Sequence, residues 1–181
     1  PPSGHIIGAI ARTDNSIGVW RAPAGTDVKL LGTIGLEYNM SDAEQDILNP
    51  GNINAIRAFD GEGICIWGTR TLSNEEYKYI PVRRLINFIE QSLKVNMLWT
   101  VFKPNDEKLW GMIKSAVEGF LNTIWAQGGL KGASASDAFF VKCDEELNTP
   151  DVIDQGRTLV DIGIAPQKPA EFIVFRISLK R

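Results

Sequence analysis

Apolar and polar residues alternate with a period of two across Glu171–Arg181 (EFIVFRISLKR). Ile173, Phe175, Ile177 and Leu179 fall on one face of a β-strand; Arg176, Ser178 and Lys180 fall on the other. Pro166 and Pro169 detach this strand from what precedes it. An amphipathic strand at a chain end needs a sheet to join. It pairs within its own chain or adds to a neighbour's open edge, and the second option builds polymers. Two longer stretches carry helical spacing instead. Pro81 opens one, with Val82, Leu85, Ile86, Ile89, Leu93 and Met97 as its stripe. The other follows Pro104, with Asn105 as its expected cap and Asp106 and Glu107 in its first turn. Its stripe is Leu109, Met112, Ile113, Ala116, Val117, Phe120, Leu121 and Ile124, and Gly128-Gly129 stops it.

Shorter elements fill the rest. Residues 1–14 read as a helix with Ser3 as N-cap and Ile6, Ile7 and Ile10 as its apolar stripe. Residues 15–26 are loop, and 29–34 are a short strand. Ser41 caps a helix running through Leu48. Strands at 54–59 and 64–69 flank the turn Asp60-Gly61-Glu62-Gly63. Further strands are expected at 76–80, 138–143 and 157–165, with a helical loop at 149–155. No internal repeat interrupts this order. The pattern predicts an α/β (α+β) fold, a two-layer sandwich of a mixed sheet packed against two long helices, with the C-terminal strand free for pairing between subunits.

Composition narrows the function. At 181 residues the chain is one domain, or one domain with an appendage, and it buries a sizeable core without staples. A net charge of -3 makes no global case for nucleic-acid binding. The charge is unevenly spread. Asp137, Asp144, Glu145, Glu146, Asp151, Asp154 and Asp161 face only Lys142 and Arg157, whereas Lys168, Arg176, Lys180 and Arg181 face only Glu171. An acidic body and a basic tail suit head-to-tail contacts between copies, although two solvated faces would read the same way. Cys65 and Cys143 stand apart in apolar runs, as buried free thiols do, which suits a reducing compartment. No run of 18 apolar residues implies membrane insertion, and no signal peptide is evident. The start at Pro1-Pro2-Ser3-Gly4, without an initiator Met, suggests a fragment with more protein upstream.

Candidate chemistry is sparse. His5 is the single histidine, so no zinc site is expected with two distant cysteines. Asp144-Glu145-Glu146 is conceivable as a carboxylate site, but consecutive residues point to different faces, so a solvated acidic loop is the plainer reading. Gly32-Thr33-Ile34-Gly35 and Gly61-Glu62-Gly63 match neither a phosphate loop nor a dinucleotide fingerprint. Trp20, Trp67, Trp99, Trp110 and Trp125 lack interleaved basic residues and read as core or subunit-interface packing rather than base stacking. No nucleophile, base and orienting group assemble, so no catalytic, cofactor or metal residue is assigned.

Several blocks in series carry a resemblance: PPSGHIIGAIARTD with GVWRAPAG, LNPGNINAIRAFDGEGICIWGTRTLS, YIPVRRLINFIEQSL, FKPNDEKLW, FLNTIWAQGGLKG and DVIDQGRTLVDIGIAPQKPAEFIVFRI. Together they resemble the C-terminal half of contractile tail sheath proteins of tailed bacteriophages, tailocins and contractile injection systems. Family members carry a larger N-terminal region that is absent here. The resemblance implies a non-enzymatic structural subunit that polymerises around an inner tail tube and contracts to drive the tube through a target envelope. It implies contacts with copies of itself, the tube, and baseplate and terminator proteins, in a tail assembled in the bacterial cytoplasm. It also implies three parts: residues 1–72 from the sheath core domain, 73–165 as the tube-proximal domain, and 166–181 as an arm. Terminal arms add strands to a neighbour's sheet in this family, which points to Phe172, Ile173, Val174, Phe175, Arg176, Ile177, Ser178 and Leu179. Lys108 and Lys114 on the second long helix become tube-facing candidates, and Asp144, Glu145 and Glu146 a candidate intersubunit patch. The rival expectation is a small α/β ligand-binding domain or enzyme with a pocket between sheet and helices.

Overall fold

A computed structural model describes residues 1–73 and 75–171. The candidate strand Phe172–Leu179 therefore lies outside the described residues. Internal contacts divide the chain into two compact units: Pro1–Arg83 with the described residues from Lys168 on, and Arg84–Gln167.

The first unit opens with helix α1, Ser3–Ser16. Pro2, not Ser3, occupies its N-cap position, and no side chain caps it. Ala9 and Thr13 are its buried residues, and Ile7 faces solvent, so the stripe expected at Ile6, Ile7 and Ile10 is shifted. The reason is contact with a partner surface. Ala9 joins Val28, Leu30 and Ile66 in the core, flanked by Ile6, Ala24, Ile56 and Ile64. Helix α2, Asp42–Leu48, begins as the sequence predicts. Ser41 accepts from the Glu44 N–H, while Glu44 accepts from the Ser41 N–H at 2.8 Å, a reciprocal capping box. The Tyr38 hydroxyl also donates to Glu44. These donors, Tyr38 first and Ser41 second, lower the Glu44 carboxyl from its ordinary 4.5 to about 2. Strands β1, Ala55–Phe59, and β2, Gly63–Trp67, pair antiparallel with Arg57 opposite Cys65. Gly61 turns the hairpin at φ 76.

The strands expected at 29–34 and 76–80 do not form. Lys29 makes an isolated bridge to Cys65, and Tyr79 one to Arg70. The first segment meets β2 and the second meets the chain just after it, and neither extends into a ladder. Asn54 substitutes for a strand beside Arg70. Its Oδ1 accepts from the Arg70 N–H and its Nδ2 donates to the Arg70 carbonyl, both at 2.8 Å. Gly68 permits this approach, since a Cβ there would lie 2.7 Å from the Asn54 Oδ1.

Helix α3, Ile80–Asn96, starts in the first unit and contributes to the second, with Pro81 in its first turn. Helix α4, Glu107–Ala126, buries Leu109, Trp110, Ile113, Val117, Leu121 and Ile124, an unbroken helical stripe. Met112 and Ala116, assigned to that stripe by periodicity, face outward. Asp106 caps α4 by accepting from the Leu109 N–H at 2.9 Å. Asn105, the expected cap, instead accepts from Trp110 Nε1 and Thr158 Oγ1 and donates to the Arg157 carbonyl. The one-turn helix α5, Ala135–Ala138, precedes strand β3, Phe139–Lys142, and shortens the strand expected at 138–143. Helix α6, Pro150–Asp154, occupies the expected helical loop. Strand β4, Asp161–Ile164, pairs antiparallel with β3, Phe139 opposite Ile164.

The fold is α+β, as the pattern predicts. Among the described residues, however, the strands form two separate two-stranded antiparallel sheets rather than one mixed sheet. Periodicity identifies strands but carries no information on which strand is whose neighbour. No helix among the described residues is long and apolar enough to cross a membrane.

Asn148, 1% exposed, holds the loop between β3 and β4. It accepts from the Leu159 N–H at 2.7 Å and donates to the carbonyls of Leu159 and Asp144, both at 3.1 Å. Asn148→Ala strands these backbone groups and should cost about 2–3 kcal/mol in urea unfolding, whereas Asn122→Ala on the exposed side of α4 should stay within about 0.5 kcal/mol. Glu44 yields a second expectation. Its folded pKa is depressed, so its stabilising contribution is present above about 4.5 and is lost as pH falls toward about 2. An NMR titration should place its midpoint near 2; an ordinary midpoint would mean that the Tyr38 and Ser41 bonds do not persist.

Candidate functional site

The residues available for catalysis stay apart. His5 is exposed on α1. Cys65 and Cys143 are buried free thiols, and burial raises both above the ordinary cysteine value, which leaves them poor nucleophiles. Among the described residues no three His, Cys, Asp or Glu side chains converge on a point that could hold a metal. Three of the tryptophans pack within their own units. Trp67 lies 4.4 Å from the Phe59 ring, and the Nε1 of Trp110 and Trp125 donate to Asn105 Oδ1 and the Gly132 carbonyl.

A groove of about 650 Å³ runs between α4 and β3, walled by Ser115, Gly119, Asn122, Phe139 and Phe140, with Glu118 at its side. Phe140 is half-exposed there, and its ring lies against the backbone of Gly163, where a Cβ would come within 2.0 Å. This is the position of the pocket between sheet and helices. Its polar groups are one carboxylate, one amide and two hydroxyls. Glu118 is already 4.0 Å from Lys114, so the groove offers no free charge to orient a substrate.

The candidate surface residues land as follows. Asp144, Glu145 and Glu146 occupy the turn after β3. Lys142 pairs with Glu146 and lies 3.9 Å from Asp144, and these carboxylates, Glu146 first, raise its pKa. The acidic run is thus partly neutralised from within. Asp144 also accepts from the Leu147 N–H at 3.2 Å, a local turn bond. Glu145 is exposed and makes no ion pair among the described residues. Lys108 and Lys114 are both exposed on α4. Six residues apart, they point about 120° away from each other around the helix. Lys108 shares its side with Met112, Ser115 and Gly119, so the two lysines present separate faces.

Two features carried no sequence signal. The first is a turn of 3₁₀ helix, Leu98–Thr100, that leads into an exposed apolar tip of Leu98, Val101 and Phe102. Phe102 sits at φ 66, a conformation a bulky residue adopts at a cost. The second is a buried ion pair. Arg70 Nε donates to both oxygens of Glu171 at 3.0 and 3.1 Å, and Nη2 donates to Oε2 at 2.6 Å. The side chains are 8% and 13% exposed. Arg70 Nη1 also donates to the Asn49 carbonyl at 2.7 Å, and the Glu171 carboxylate raises the Arg70 pKa further. The partners are 101 residues apart in the chain, beyond the reach of any local pattern.

Known proteins resemble this chain along nearly its whole length. The tail sheath protein of Vibrio phage KVP40 is 30% identical over 176 residues, which are 96% of this chain and 25% of that protein. A chain in the baseplate of the anti-feeding prophage, solved by cryo-electron microscopy, superposes with a TM-score of 0.93 at 37% identity, over 100% of this chain and 51% of the other. The contracted sheath complex of the extracellular contractile injection system PVC contains a chain with TM-score 0.93 and 38% identity, over 98% of this chain and 51% of the other. This chain therefore spans about a quarter of that curated relative and about half of each solved chain. The model of the phage tail sheath C-terminal domain matches residues 73–180, and the chain belongs to that family.

Proposed function

We propose that this chain forms the C-terminal, inner part of a contractile tail sheath subunit. The subunit polymerises around an inner tail tube and contracts to drive the tube through a target cell envelope. The observation that carries this reading is the agreement of nearly the whole chain with a subunit of a contracted sheath complex. The role in this reading is mechanical, without enzymatic activity or cofactor. The partners are further copies of the subunit, the tail tube protein, and baseplate and terminator proteins. The particle is a virion tail or a related injection system, assembled in the bacterial cytoplasm. In this reading residues 1–72 belong to the core domain, 73–165 to the tube-proximal domain, and 166–181 to the arm.

The mechanism needs two kinds of contact. Strand pairing through Phe172–Leu179 keeps neighbours connected by backbone ladder bonds while the rigid bodies rotate. Side-chain contacts between bodies exchange during contraction. A gain of only ~1–3 kcal/mol per subunit, summed along a sheath, drives a large mechanical stroke. Lys108 and Lys114, presented on separate faces of α4, leave room for one to meet the tube while the other meets a sheath neighbour. Of the acidic turn, Glu145 is the residue whose charge is not answered locally, and it is the best placed to meet a basic face of another subunit.

Negative-stain electron microscopy tests the reading. The protein carrying this chain should form tubes or stacked rings, and deletion of Phe172–Arg181 should abolish them. Monodisperse subunits at high concentration, with tube protein added, would overturn the sheath assignment. The charge assignments are tested separately. Glu145→Lys should weaken sheath assembly and reduce its salt dependence, and Lys108→Glu with Lys114→Glu should reduce co-sedimentation with the tube several-fold. Unchanged assembly and co-sedimentation would remove these residues from the interfaces.

A further inference from the structure

We propose that Arg70 and Glu171 form the anchor through which the terminal strand of a subunit is tied to the body of that same subunit. Arg70 is then the positioning residue for strand exchange. This rests on the strand-exchange reading above and adds to it the bond that sets where the exchanged strand departs.

Buried ion pairs are inefficient stabilisers. Desolvation offsets most of the attraction, and a well-packed apolar pair often does as well. What an apolar pair does not supply is fixed direction. Three donor–acceptor contacts from a planar guanidinium to one carboxylate set both the position and the orientation of Glu171, whereas apolar side chains slide. The surface pairs Arg21–Asp27 and Lys29–Glu62 show the difference. Each has one contact, at 3.3 and 3.1 Å, between half-exposed or exposed side chains.

Arg70 is itself held on every side. Its N–H and carbonyl are both taken by Asn54, just ahead of β1. The carbonyl of its neighbour Thr69 accepts from the Ile80 N–H at 2.7 Å. Its Nη1 ties it to the Asn49 carbonyl after α2. A pull on Glu171 therefore passes through the guanidinium into several elements of the first unit rather than into a single loop.

The place of Glu171 in the sequence gives the anchor its meaning. It immediately precedes Phe172, and the alternation of Ile173, Phe175, Ile177 and Leu179 begins two residues later. Strand pairing has a period of two, and a slip of one residue turns every apolar side chain to the wrong face. Fixing the residue ahead of the alternation sets the register in which it reaches a neighbour's sheet.

The test uses the protein carrying this chain. Glu171→Gln removes the charge and keeps the shape; Arg70→Glu with Glu171→Arg reverses the pair. Glu171→Gln should raise the critical concentration for polymerisation about tenfold or more and give short or broken tubes. Arg70→Met with Glu171→Leu, which leaves no buried charge unpaired, should lose the tubes likewise while the unassembled subunit keeps its circular dichroism and a Tm within a few degrees. The reversed pair should recover much of the assembly. Normal polymerisation of Glu171→Gln, in a protein that loses its tubes on deletion of Phe172–Arg181, would overturn the anchor and leave strand exchange intact. Normal tubes after that deletion would overturn strand exchange and the anchor with it. A loss of subunit stability large enough to account for the missing tubes would assign the pair to folding and overturn the proposal.

Discussion

A buried backbone N–H or C=O must have a partner, and this chain has few strands to provide one. Among the described residues the two sheets have two strands each, and several connecting segments follow no regular structure. Asparagine side chains fill the gap. Asn54 pairs with both backbone groups of Arg70, as a neighbouring strand would. Asn148 does the same for Leu159, and Asn105 bridges Arg157, Thr158 and Trp110. An amide carries a donor and an acceptor at one end, which is what a stretch of backbone presents to its neighbour. These bonds tie loops of both units to specific partners.

Such cross-links suit the mechanical role proposed above. In the second unit the α4 stripe from Leu109 to Ile124 packs a single continuous face, while the outward side holds Lys108, Met112, Ser115 and Gly119. Small residues there leave the groove beside Phe140 open. In the first unit, the Arg70 guanidinium binds Glu171 and the Asn49 carbonyl, while Asn54 holds the Arg70 backbone. The polar surfaces differ in character from this buried cluster. Lys142 answers Glu146 and Asp144, and Lys114 answers Glu118, each a local pair between partly or fully exposed side chains.

Elements whose signals are local were legible in the sequence. The α4 stripe, the capping box at Ser41 and Glu44, the β1/β2 hairpin and its glycine turn all depend on residues within a few positions of one another. Where two local solutions compete, the sequence was ambiguous. Asn105 and Asp106 are both good caps, and Asp106 takes the role because Asn105 is claimed by Trp110 and Thr158, the latter 53 residues away. Ile7 belongs to an apolar pattern yet faces solvent, because the surface that Ala9 meets comes from Val28, Leu30 and Ile66.

By itself, the sequence determined the α+β class, the two long helices, the hairpin and the amphipathic character of the chain end, because periodicity and turn chemistry act over one or two turns of chain. The blocks in series pointed to the phage tail sheath family, whose C-terminal domain model matches residues 73–180. Only the tertiary structure decided that the described strands form two separate pairs, that Lys142 at the end of β3 turns to Glu146, and that Arg70 closes on Glu171. These are pairings between residues far apart along the chain, or choices among equivalent local partners. No local pattern encodes them, since a hydrogen bond spanning 101 residues depends on where the whole chain has already been placed.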